Sequence, residues 1–347
     1  MKGAVLACAA LCAVLLGLPA LAAQPAAGTS SDALAHQIKD YLASEMLADD
    51  FSGVVVLSRN GEVIFSGVYG SASKEYGTPN TLDTRFNLGS INKLMTRIAV
   101  MQLVEQHKLG YDDTIGAVLP DYPNKQAAAT VTVRELLDMS SGIGDFFGPQ
   151  YAAMSKDRLR TLADYLPLFA TKPLAFTPGT KHQYSNGGFV VLGLMIERRS
   201  GQSYYDYVRT HIFAPAGMTA SGWFERNATL TGIATGYTKD GADGPHSTWC
   251  NNVYTAPERG SSAGGGYATA PDLLKFAAAL EGGKLLDARD TTAVLQGGIG
   301  VAGGAPGINA DVEIDPASGY VLVVLSNYDP PSAERVAATI RSYIGLE

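Results

Sequence analysis

Ser90-Ile91-Asn92-Lys93 sets a hydroxyl and an amine three residues apart, and positions i and i+3 of a helix share one face. On that spacing the Lys93 amine reaches the Ser90 hydroxyl. A serine alcohol is a weak nucleophile until a neighbouring base takes its proton. A lysine in an apolar or positively charged pocket becomes neutral enough to do so. If Ser90 opens a helix, its backbone N–H also lacks an intrahelical partner and can face a developing oxyanion. The chemistry expected of this pair is acyl transfer through a serine-bound intermediate.

A second pair of candidates lies in Tyr184-Ser185-Asn186, preceded by Phe176-Thr177-Pro178-Gly179. A tyrosine beside a lysine ammonium has its phenolate favoured and can exchange protons with a nucleophile or leaving group. The Asn186 amide can accept from Lys93 and donate to a substrate. Other motifs compete less well. Ser71-Ala72-Ser73-Lys74 repeats the S-x-x-K spacing but starts no apolar-periodic helix. Gly260-Ser261-Ser262-Ala263-Gly264 matches G-x-S-x-G without the strand before and helix after that a nucleophile elbow needs. Gly298 to Gly303 matches G-x-G-x-x-G, but no helix opens after it, which argues against dinucleotide binding. The five histidines include no pair at metal-ligand spacing, so no metal site is expected. His182, near Tyr184, is the one that could line a site.

The elements that must position these residues follow from periodicity. Leu34, Ile38, Tyr41, Leu42 and Met46 fall on one face of a helix. Val54 to Leu57 and Val63 to Phe65 flank Arg59-Asn60-Gly61, a hairpin signal. Residues 91–109 carry Leu94, Ile98, Met101 and Leu103 at helical spacing and stop at Gly110. Further helices are expected over 133–139, 158–169, 189–198, 204–212 and from Pro271 to Leu280. Strands return at 311–314 and 320–326, separated by Asp315 to Gly319, and a closing helix spans 333–344. The expected fold is α+β. A sheet of mainly antiparallel strands from both chain ends is flanked by helices, and an all-helical lobe is inserted between them.

The chain has 347 residues, 46% of them hydrophobic and 17% charged, with a net charge of −7. No Lys/Arg-rich cluster breaks this acidic balance, so neither nucleic acid nor an anionic membrane surface is an expected partner. Lys2, the apolar run from Ala4 to Ala20 and the small residues Ala20-Leu21-Ala22 have the layout of a secretory signal peptide. The expected organisation is a signal peptide over 1–22, a linker over 23–30 and one catalytic domain over 31–347. Its sheet lobe spans about 31–85 and 285–347, and its helical lobe about 86–284. Retention of the N-terminus as an anchor is the rival reading. Loss of residues 1–22 removes Cys8 and Cys12, leaves Cys250 alone, and so excludes an internal disulfide. The expected location is periplasmic or secreted, and the oligomeric state is not legible.

Several segments together resemble the serine β-lactamase-like family, which includes class C β-lactamases, D-alanyl-D-alanine carboxypeptidases and related esterases. They are Phe86 to Lys93, Leu136 to Ile143, Phe176 to Asn186, and Ser262 to Thr269 followed by Pro271-Asp272-Leu273. The resemblance implies a sheet lobe packed on a helical lobe, a site between them and no metal or organic cofactor. Catalytic roles fall to Ser90, Lys93 and Tyr184, and substrate binding to Asn186, Gly303 and Gly304. The chain departs from the family at its third motif. Where the family carries Lys or His, then Thr, then Gly, this chain has Val301-Ala302-Gly303-Gly304. The cation and hydroxyl that would hold a substrate carboxylate are missing. The expected function is therefore a serine hydrolase of small esters or amides, with a carboxylesterase first. The alternatives are a β-lactamase, a D-Ala-D-Ala carboxypeptidase or a non-catalytic sensor domain.

Overall fold

The computed structural model describes residues 31–241 and 244–346; the expected signal peptide and linker lie outside them. The principal elements in chain order are α1 (Ser31–Leu47), β1 (Gly53–Arg59), β2 (Glu62–Tyr69), α2 (Asn92–Glu105), α3 (Asn186–Ser200), α4 (Ala270–Glu281), β3 (Ile299–Ala305), β4 (Ile308–Asp315), β5 (Tyr320–Ser326) and α5 (Ser332–Ile344). The strands form one antiparallel sheet in the order β2-β1-β5-β4-β3. The N-terminal hairpin thus pairs directly with the last strand of the chain. Asn60 and Gly61, with φ of 51° and 81°, supply the two left-handed residues that a tight hairpin turn requires.

Alternation along the strands divides the core into two layers. Val54 and Val56 of β1, Val312 of β4 and Val323 and Leu325 of β5 face the helical lobe. Val55, Leu57, Leu322 and Val324 face α1 and α5 instead. Both faces of β1 and β5 are covered, which is why these strands read as unbroken apolar runs. On α1 the buried face is Leu34, Ile38 and Leu42, whereas Met46 at its end is exposed. In the lobe, α2 is buried almost all round, as a helix enclosed by others must be, and α3 packs along it. The expected helix over 158–169 forms only short 3-10 turns, Lys156–Arg158 and Leu162–Leu168, the latter with Pro167 inside. The lobe also carries a hairpin, Tyr237–Gly241 with Gly244–Asn251, whose polar strands give no alternating pattern to read.

One buried group works against the fold. Asn309, Asp311 and Glu313 project from β4 toward α5, and Asp311 is buried with Oδ1 unpartnered. Burial, reinforced by the Glu313 charge, pushes its carboxyl up to about 8. A raised carboxyl pKa means that the folded state holds a proton the unfolded chain has released. Stability must therefore fall as pH rises from about 4 toward 8. Asp311→Asn removes that dependence. Urea midpoints of wild type and variant should lie close together near pH 4.5 and separate by pH 8.5, with the variant the more stable. A gap that stays constant with pH would refute this.

Candidate active site

Ser90 lies in the single 3-10 turn Gly89–Ile91 that leads into α2, and its turn packs against the edge strand β3. The approach is close enough to dictate glycine on both sides. A Cβ at Gly303 would stand 2.1 Å from Leu88 O and 2.7 Å from Ser90 N. A Cβ at Gly89, where φ is +49°, would stand 2.9 Å from Gly304 N. The backbone nitrogens of Ser90 and Gly304 both lie at this contact.

Packing of α3 along α2 joins the N-termini of the two helices. Ser185 caps α3 through its hydroxyl, which accepts from Gly188 N at 2.9 Å. This leaves Asn186 in the first turn, buried, and Tyr184 just outside it. Lys93 Nζ donates to Ser90 Oγ at 3.0 Å, to Asn186 Oδ1 at 2.7 Å and to Ala263 O at 2.6 Å. Tyr184 Oη lies 2.5 Å from Ser90 Oγ. The structure brings Ser90, Lys93, Tyr184 and Asn186 into one network, with Gly303 and Gly304 beside it.

Electrostatics assign different capacities to the lysine and the tyrosine. Burial pulls the Lys93 ammonium down to about 7, against the upward pull of the Asp145 carboxylate. A neutral amine has two N–H bonds and one lone pair. With Asn186 Oδ1 and Ala263 O taking the two hydrogens, the lone pair is left facing Ser90 Oγ. The expectation that Tyr184 favours a phenolate is corrected by its surroundings. Lys93 Nζ sits over the tyrosine ring, 4.7 Å from its centroid. Burial raises the phenol above its ordinary value, opposed in part by the Ser90 hydrogen bond. Tyr184 therefore keeps its proton at neutral pH and is suited to donate it.

Two contributors escaped the sequence reading. Asp145 Oδ2 accepts from Asn186 Nδ2 at 2.7 Å and its Oδ1 from Phe147 N at 2.9 Å. The Asn186 amide thus gives one of its two hydrogens to Asp145. The only hint lay in Gly142 to Gly148, a glycine-rich loop directly after the matched Leu136 to Ile143 segment. The second is Ala263 O, presented by the G-x-S-x-G segment. Asn92 Oδ1 holds Gly266 N at 2.7 Å, and Thr96 Oγ1 donates to Ser262 O at 2.7 Å. Within that segment Ser262 is fully buried, with its hydroxyl donating to Phe189 O.

The remaining candidates lie elsewhere. Lys74 pairs with Asp49, not with Ser71. His182 faces Asp138 O and does not line the cleft at Ser90. Arg259 stacks over Tyr205 at 3.6 Å and donates to Trp223 O, so it brings no cation to the place of Val301. Val301 shares its strand face with Gly303 and packs on the helical lobe, while Ala302 borders the cleft. Cys250 is a free thiol, half-buried. Among the described residues no helix is long and apolar enough to cross a membrane.

Two cavities meet at Ser90. One is an open cleft of about 720 Å³ that also borders Phe147, Tyr184 and Gly304. The other is a pocket of about 80 Å³ walled by Phe146, Tyr151, Tyr165 and Ile308.

This fold is that of a penicillin-binding protein of known structure. The family model described as Beta-lactamase matches residues 39–297, and the chain belongs to that family. It is 31% identical over 195 residues to penicillin-binding protein 4* of Bacillus subtilis, covering 55% of this chain and 42% of that protein. It is 32% identical over 183 residues to esterase EstB of Burkholderia gladioli, covering 49% and 46%. The crystal structure of a penicillin-binding protein from Bacillus halodurans superposes with a TM-score of 0.78 at 32% identity, over 87% of this chain and 98% of that one. The chain spans about half the length of the curated relatives it matches.

Proposed function

We propose that this protein is an exported serine hydrolase that cleaves small neutral-acyl esters through an acyl-enzyme on Ser90. The observation that carries the reading is the anchoring of Lys93 Nζ by Asn186 Oδ1 and Ala263 O, which in the neutral amine take both hydrogens and leave the lone pair toward Ser90 Oγ, 3.0 Å away. Lys93 takes the Ser90 proton as the hydroxyl oxygen attacks the carbonyl carbon, and the amides of Ser90 and Gly304 hold the resulting oxyanion. Tyr184 donates its proton to the departing oxygen. Water then attacks the acyl-enzyme, with the same groups returning their protons, and releases the acid. The pocket walled by Phe146 and Ile308 has room for a short acyl chain.

Relatives named as penicillin-binding proteins raise a carboxylate-bearing substrate as the second reading. Val301 and Ala302 speak against it, and Arg259 is engaged elsewhere. A charge-assisted hydrogen bond contributes about 1.5–3 kcal/mol. Its absence lowers kcat/KM for such substrates roughly ten- to a hundredfold. The test compares an aryl acetate with a chromogenic cephalosporin in wild type and in Val301→Lys/Ala302→Thr. Wild type should strongly favour the ester, and the double variant should gain on the cephalosporin. Efficient cephalosporin turnover by the unmodified enzyme would sink the ester reading. An export signal over residues 1–22 agrees with this assignment, and N-terminal sequencing of the secreted or periplasmic protein should begin near residue 23.

A further inference from the structure

The two cavities at Ser90 differ in chemistry, and that difference bears on the substrate. The small pocket has no carboxylate in its lining and is walled by four aromatic rings, Ile308 and mostly small residues, whereas the larger cleft is bordered by three carboxylates, Asp240, Asp329 and Glu334. Among the described residues no lysine or arginine borders that cleft. Asp329 is fixed by backbone amides, accepting from Lys239 N at 2.7 Å and Gly307 N at 2.6 Å. The carboxylates of Glu334, in the first turn of α5, and of Asp240 have no hydrogen-bond or ion-pair partner among the described residues. Lys239, next to Asp240 in the chain, is turned onto the Trp249 ring at 4.4 Å. Two aromatic rings, Phe147 and Tyr184, also border the cleft and are half exposed to it. Carboxylates and open aromatic faces attract the same kind of guest, an organic ammonium.

We propose that the substrate is an ester of a short apolar acid with an ammonium-bearing alcohol, its acyl group in the small pocket and its cationic leaving half in the acidic cleft. The proposal rests on Ser90 acting as the nucleophile and adds the charge of the leaving group. Ser90 Oγ bonds to the acyl carbon, the ester C–O bond breaks, and the amino alcohol departs with the proton from Tyr184. Its cation remains unchanged throughout. Ala302, which borders the cleft, likewise brings no positive charge there to repel such a leaving group.

The experiment uses three thioacetates of near-equal size: acetylthiocholine, its uncharged 3,3-dimethylbutyl isostere and S-acetyl-3-mercaptopropionate. Released thiol is followed against 4-nitrophenyl acetate as reference. The cationic ester should exceed the neutral one by roughly tenfold in kcat/KM at low salt, with the anionic one lowest, as attraction in a charged cleft produces. The preference should shrink in 0.5 M salt, a buffer choice of roughly this magnitude being enough to shorten screening to a few ångströms. It should fall toward unity in Asp240→Asn/Glu334→Gln. Should that variant fold poorly, the salt series on wild type decides. Equal or better turnover of the neutral ester, or a cationic preference that salt and substitution leave untouched, overturns the proposal. Hydrolysis of 4-nitrophenyl acetate without that of any thioester also overturns it, while leaving the hydrolase reading intact. Loss of both removes the hydrolase reading itself.

Discussion

Ser90→Ala lowers kcat/KM for an aryl acetate by at least about a thousandfold, the scale expected when the group that forms the covalent intermediate is removed. A serine-directed phosphonate labels wild type on the peptide containing residue 90 and leaves the variant unlabelled. Three serines matched catalytic patterns, and their surroundings separate them. Ser90 Oγ is within hydrogen-bond reach of both Lys93 Nζ and Tyr184 Oη and opens onto the cleft. Ser262 is fully buried with its hydroxyl committed to a main-chain carbonyl. Ser71 lies in the short strand Ser71–Ser73, and its S-x-x-K lysine is drawn away to Asp49. Unfolding of Ser90→Ala by urea should match wild type closely, because the hydroxyl fills no core position. A phosphonate adduct on Ser262, or retained turnover in Ser90→Ala, is the result that defeats the assignment.

What the sequence disclosed of this site was its local part. A helix start with i, i+3 partners is encoded within a few residues, so Ser90 and Lys93 could be paired before any tertiary contact was known. The hairpin at Asn60-Gly61 and the apolar strands at the chain ends were legible for the same reason: their signal is periodic and short-range. Tyr184 and Asn186 carry no such internal signal; side-chain chemistry made them candidates, and the ordered set of segments that resembles the family tied them to Ser90. Asp145 and the Ala263 carbonyl stayed hidden because their roles exist only once three distant loops meet. A backbone carbonyl has no sequence signature at all. The same limit explains the error over Tyr184. Adjacency to a lysine was inferred correctly, but the burial that raises the phenol exists only once the helical lobe has closed around it. Asp311 is a different case, an acidic residue in a strand that alternates apolar and polar positions, whose cost depends on the helix that covers its polar face.

Activity rises with pH through about 7 and then levels, because only the neutral form of Lys93 can accept the Ser90 proton. The sign follows from burial: removing the ammonium from water lowers its pKa, so the basic form is populated at neutral pH instead of only above 10. The midpoint in kcat/KM reports the free enzyme, and it belongs to the coupled network more than to one residue. Lys93→Ala should cost on the order of a hundredfold or more and flatten this limb of the profile. Lys93→Arg should not restore it, since a guanidinium stays protonated throughout. Both variants leave Asn186 Oδ1 and Ala263 O with altered partners, so their urea midpoints must be measured alongside the rates. Tyr184→Phe gives the complementary result. Its phenol holds its proton at neutral pH, so its loss should lower kcat by a comparable factor while leaving the midpoint near 7 in place. A midpoint that vanishes in Tyr184→Phe and survives in Lys93→Ala would reverse the two roles and make the tyrosine the base.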